Sequence, residues 1–126
     1  EGELALPRSR YPWIKLWNDC LSDQKLRQLT NAERGLFYEM LLLANISPIR
    51  GYLMVTKKVP MTLKTVSNLL SLSSSDNRVL AKLIPKLVTL EILNYNADCY
   101  SFPRFEARQD IYPSDLTPNK LRINSE

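Results

Sequence analysis

Apolar residues recur at helical spacing in three stretches of the chain. Leu36, Phe37, Met40, Leu41, Leu43 and Ala44 form one wide stripe, with Arg34 and Glu39 on the opposite side. Thr30-Asn31-Ala32-Glu33 just before it has the spacing of a capping box, which predicts a core helix from about Thr30 to Asn45. Leu63, Val66, Leu69 and Leu70 predict a second helix behind Thr62 as cap. Leu80, Leu83, Ile84, Leu87 and Val88 predict a third, from Asp76 to about Leu90. Pro85 falls inside that third helix. It lacks the N–H that would bond the Ala81 carbonyl, so a kink or local break is expected there.

Between and around these stretches the pattern is shorter. Ser22 or Asp23 can cap a brief helix through Leu29, with Leu26 and Leu29 facing inward. Pro48 and Gly51 punctuate a turn, and Tyr52 to Thr56 reads as a short β-rich segment ending at Lys57 and Lys58. Glu91–Tyr95 and Tyr100–Pro103 read as two strands joined by Asn96-Ala97-Asp98, a hairpin. Ser71 to Ser75 is a hydroxyl-rich turn between the second and third helices. Trp13, Ile14, Leu16 and Trp17 form a hydrophobic plug, expected to pack in the core rather than stack on nucleotides. Residues 1–12 read as a loose arm, 13–105 as one folded domain, and 106–126 as a polar extension or linker.

The order helix, short strand, helix, helix, β-hairpin gives the expected fold class: α+β, mostly helical, a winged helix, that is, a helix-turn-helix with a C-terminal hairpin as its wing. At 126 residues the chain can bury a single core without disulfide or metal staples.

Charge sharpens this picture. Lys57 to Leu90 holds Lys57, Lys58, Lys64, Arg78, Lys82 and Lys86 against one acid, Asp76. That is +5 in a chain whose total is +4, so the remainder is close to neutral. Arg78, Lys82 and Lys86 stand four residues apart and draw one ridge along the third helix. A localised basic ridge on a neutral domain suits a phosphate backbone. Such a run is more commonly a solvated face, and here the architecture tips the reading toward DNA. Ser74, Ser75 and Asn77 sit at the N-terminus of that helix, where backbone N–H groups can hold a phosphate. Asn77 and Arg78 are candidate base readers. Lys82 and Lys86 would meet phosphates; Lys57, Lys58 and Lys64 would extend the track, with Arg104 and Arg108 on flanking backbone. The turn Asn96-Ala97-Asp98 carries an acid and no cation, so a minor-groove contact by the wing is not expected.

The chain contains no His, no nucleophile elbow and no P-loop, and only three glycines, so nothing points to an enzyme or to a cofactor. Two cysteines, Cys20 and Cys99, without His company argue against zinc and read as reduced thiols of a cytoplasmic protein, with a bridge between them as the alternative. Asp19 and Asp23 are better explained as helix-capping groups than as metal ligands. No apolar run approaches the ~20 residues that span a bilayer, so no membrane partner is expected.

The residues Trp13-Ile14-Lys15-Leu16-Trp17, Thr30 to Leu36, Met40 to Ala44, Gly51-Tyr52-Leu53, Pro60-Met61-Thr62 and Leu83 to Leu93 together resemble the N-terminal winged-helix domain of phage replisome organisers and DnaD-like replication initiation proteins. The resemblance covers roughly residues 13 to 105 and rests mostly on packing positions. It implies a module at the front of a replication initiation protein that binds origin DNA or self-associates, while other replisome proteins are met through regions outside this chain. Duplex DNA is the expected partner. The alternative is a protein–protein module, a homodimer in which Trp13, Trp17, Tyr95 and Tyr100, with Tyr11 and Phe102, form the interface. A transcriptional repressor of the same fold is a third reading.

Overall fold

The computed structural model describes residues 12–109. It is α+β and mostly helical. A short 3₁₀ turn, Asn18–Leu21, precedes α1 (Gln24–Arg27), α2 (Asn31–Ile46), α3 (Leu63–Leu70) and α4 (Ser74–Thr89); a hairpin of β1 (Asn94–Asn96) and β2 (Cys99–Ser101) leads to α5 (Phe105–Gln109). The expected arm, residues 1–12, lies outside the described residues except for Pro12, and so does the expected extension beyond residue 109.

Each long helix begins where its side chains can close the free N–H groups of the first turn. Thr30 Oγ1 accepts from the Glu33 N–H (3.1 Å), and Glu33 Oε1 accepts from the Thr30 N–H (2.9 Å), so α2 opens on a complete capping box. α3 opens in the same way with Thr62 and Thr65. α4 starts earlier than the apolar pattern suggests: Ser73 is its cap, accepting from the Asp76 N–H at 3.1 Å. Ser71, in the left-handed region at φ 55°, stops α3 and turns the chain toward α4.

α2 packs on α4. Met40, Ala44, Val66, Leu83 and Leu87 are fully buried between the helices, together with Leu53 and Leu93. This packing overrides the expected break at Pro85. α4 continues through it as one helix. Leu83 and Ile84 before the proline and Leu87 after it are all buried, while Pro85 itself is exposed. The ring therefore costs the helix a hydrogen bond on its wet side, and core burial on both sides offsets the loss.

The hairpin pairs Asn94 with Ser101, Tyr95 with Tyr100 and Asn96 with Cys99. Its turn is Ala97-Asp98, both at positive φ (52° and 62°), the backbone that matches the twist of a two-residue hairpin. The segment 51–53 lies along the other edge of β2: the Leu53 N–H donates to the Tyr100 carbonyl and the Phe102 N–H to the Gly51 carbonyl, each at 2.9 Å. Gly51 takes φ 89°, and a Cβ there would stand 3.3 Å from Phe105 Cβ, so both backbone and space call for glycine.

Two expectations change at the ends. Residues 106–109, expected to begin the extension or linker, continue from Phe105 as α5. Phe105 joins the core, and the buried Gln109 amide exchanges two hydrogen bonds with the Lys15 backbone (2.6 and 2.9 Å). The Trp13–Trp17 segment is held against α5 at the surface instead of plugging the core. Trp13 is 52% exposed and Trp17 39%. Trp17 Nε1 donates to the Arg108 carbonyl at 2.9 Å, and the Arg108 guanidinium covers its ring and pairs with Asp19 (3.0 Å). An indole N–H needs a partner, and the frayed end of a short helix supplies a free carbonyl.

Candidate nucleic-acid interface

The basic ridge of α4 divides in two. Arg78 and Lys82 are exposed, and among the described residues neither side chain has a hydrogen-bond or ion-pair partner. Lys86, one turn further on, is engaged. Its ammonium lies 2.9 and 2.8 Å from the two carboxylate oxygens of Glu33. Glu33 is 3% exposed, and the same carboxylate closes the α2 capping box. Burial pushes the Glu33 carboxyl up, but the Lys86 ammonium and the Thr30 N–H more than reverse this and hold it below the ordinary carboxylate value. Lys86, expected to meet phosphate, is thus engaged as a strut between α2 and α4. The sequence shows Glu33 as a capping residue; its second use arises only when α2 packs on α4, and no local signal announces it.

The N-terminus of α4 is partly occupied by its own side chains. Ser75 Oγ lies 3.1 Å from Ser73 Oγ, and the Asp76 carboxylate faces the Ser73 N–H at 3.4 Å. Asn77 Nδ2 donates back to the Ser73 carbonyl at 3.1 Å, so one of its amide hydrogens is engaged in the first turn. Ser74 is exposed with no partner for its hydroxyl among the described residues. Of the two candidate base readers, Arg78 is the one left uncommitted among the described residues.

Lys64 stands exposed on the first turn of α3. Lys57 and Lys58 are exposed on a turn between Val55 and Val59. Arg104 is exposed at the mouth of a largely apolar cleft of about 390 Å³, whose walls include Leu16, Trp17, Phe37, Tyr38 and Phe102. Arg108, expected on flanking backbone, is taken up by Trp17 and Asp19. Asp23 caps α1, accepting from the Lys25 and Leu26 N–H groups.

Of the aromatics named for an interface, Trp13 and Tyr95 are about half exposed, and Trp17 is partly covered by Arg108. Tyr95 and Tyr100 face each other across the hairpin with ring centres 4.5 Å apart, and Tyr100 is half-buried. Phe102 is in the core at 5% exposed and leaves that set, and Tyr11 lies outside the described residues. Cys20 and Cys99 are free thiols, and Cys99 Sγ touches Met54 Sδ at 3.3 Å. Among the described residues no group of three or more potential metal ligands converges, and no helix is long and apolar enough to cross a membrane.

The chain matches no family model, no curated protein sequence and no solved structure.

Proposed function

We propose that this chain is a winged-helix DNA-binding module of a replication initiation protein, and that it grips duplex DNA through the Arg78–Lys82 face of α4. The element order supports the winged-helix reading: α2, the extended segment 51–53, α3, α4, then a hairpin whose second strand pairs with that segment. The observation that carries the DNA reading is the pair of exposed cations one turn apart on α4, unpartnered among the described residues. A fixed helix presenting two free cations gives a phosphate backbone two anchoring points with little reordering. The assignment to replication rests on the family resemblance of the packing positions alone.

Fluorescence anisotropy with a labelled duplex, titrated across a range of salt, tests the reading. Binding should weaken steeply with salt. With Arg78 placed on a phosphate rather than a base edge, Arg78→Ala with Lys82→Ala should weaken it at all sequences and lower the salt slope by about 1.8, about 0.9 for each phosphate no longer neutralised. An unchanged slope removes these two residues from the interface.

A second reading is favoured by the half-exposed Trp13 and Tyr95. Large aromatics left on a surface anchor protein interfaces, and a dimer would present two copies of α4 to two half-sites. Sedimentation of the same samples at high concentration separates the two readings. A monomeric mass excludes the dimer and leaves the DNA reading untouched.

A further inference from the structure

We infer that a second hairpin, residues 53–61, supplies the cations that the β1–β2 turn lacks, so that Lys57 and Lys58 contact duplex phosphates at the tip of the wing. The inference rests on the DNA reading above and specifies which part of the sheet reaches the backbone.

The hairpin is closed by the Met61 N–H donating to the Leu53 carbonyl (2.9 Å) and the Val55 N–H donating to the Val59 carbonyl (2.7 Å), with Met54 bridged to Pro60. Thr56 fixes its turn: Thr56 Oγ1 accepts from the Lys58 N–H at 3.1 Å and from the Val59 N–H at 3.0 Å. Lys57 and Lys58, the sole adjacent pair of cations in the chain, therefore stand on an ordered turn. Both are exposed, and among the described residues no carboxylate neutralises either.

The register of the sheet places this turn. Segment 51–54 runs antiparallel to β2, from Gly51 opposite Phe102 to Met54, whose sulfur meets Cys99. Cys99 directly follows the Ala97-Asp98 turn. The 56–59 turn thus emerges at the same end of the sheet as the β1–β2 turn. Lys64, on the first turn of α3, lies three residues past the hairpin's last hydrogen bond. Along the chain, the wing is a neutral-to-acidic hairpin. Once folded, its end carries two free lysines from a neighbouring strand. With Lys86 held by Glu33 and Arg108 by Asp19, these lysines and Arg78 and Lys82 are cations on ordered elements whose charge no carboxylate meets among the described residues.

The test uses the same labelled duplex and salt series. Lys57→Ser with Lys58→Ser should lower the salt slope by about 1.8, with an unchanged melting temperature because both side chains are exposed. Asp98→Asn keeps a residue that tolerates positive φ and should tighten binding roughly two- to five-fold by removing an acid beside the phosphates. An unchanged slope in the lysine variant, while Arg78→Ala with Lys82→Ala still lowers it, overturns the role of the hairpin and leaves the α4 reading standing. Absence of duplex binding by the wild-type chain even at low salt overturns both.

Discussion

Arg78 and Lys82 share a helical ridge with Lys86, yet the two ends of that ridge do different things. At the first end the side chains face solvent, without partners among the described residues. At the other, the ammonium of Lys86 meets a carboxylate that is 3% exposed and already bonded to the Thr30 backbone. Spacing along a helix fixes direction, but the surface opposite decides whether a cation is a ligand group or a strut. A buried carboxylate must be compensated, so Lys86 belongs to the fold before it can belong to a partner.

The two ends of the ridge should differ most on loss of Glu33. Glu33→Ala removes the reciprocal half of the α2 capping box and the strut together, while Thr30 still caps the residue-33 N–H. It should destabilise the domain by about 2 kcal/mol, less than a fully buried pair because the Lys86 side chain is 43% exposed. For a domain of this size that corresponds to a fall of very roughly 10 °C in melting temperature. Lys86→Ala should destabilise in the same direction, since it strands a buried carboxylate, and should leave the salt slope of DNA binding unchanged in the folded protein. A slope that falls in Lys86→Ala would return Lys86 to the interface.

Acid offers a gentler probe of the same end. The folded protein holds the Glu33 carboxyl below its ordinary value, so the folded state binds fewer protons than the unfolded chain in that range. The stability this group contributes is fully present above the ordinary carboxylate value and is lost as pH falls through the lower folded value. The urea midpoint of the wild type should therefore drop between about pH 6 and about pH 3, and by more than that of Glu33→Gln. Equal drops would mean that Glu33 is not the group linking pH to the packing of α2 on α4.

The smallest effect on stability is expected at the free end. Arg78→Ala with Lys82→Ala should change the unfolding free energy by no more than about 0.5 kcal/mol, even where it alters the salt slope. A larger loss, read from urea unfolding, would show that these cations also support the fold and would erase the contrast between the two ends.

The helices were legible from local signals. Thr30 and Glu33, Thr62, and the apolar stripes of α2, α3 and α4 each state their element within a few residues. The hairpin was legible too, though shorter than its apolar pattern suggests. Less legible were the features that require distant segments to meet. The Trp13–Trp17 segment reads as core because it is apolar, yet it lies on the surface against α5 while Leu26, Leu29 and Phe105 are buried. Residues 106–109 read as linker because they are polar, yet Gln109 is buried and exchanges two bonds with Lys15. The hairpin 53–61 is marked in sequence only by one short β-rich segment, since Pro60 and Met61 carry no strand pattern of their own.

Local sequence sets where helices begin, which faces they bury, and that an excess of positive charge lies between Lys57 and Leu90. Capping, periodicity and charge are properties of a few neighbouring residues, and they survive whatever the rest of the chain does. Which of those charges remain free follows from long-range packing. That outcome depends on Glu33 coming to Lys86 across 53 residues of chain, and on segment 51–54 lying beside β2 so that Lys57 and Lys58 reach the end of the sheet. Pairings of this range are set by the packing of the whole core, and no local pattern encodes them.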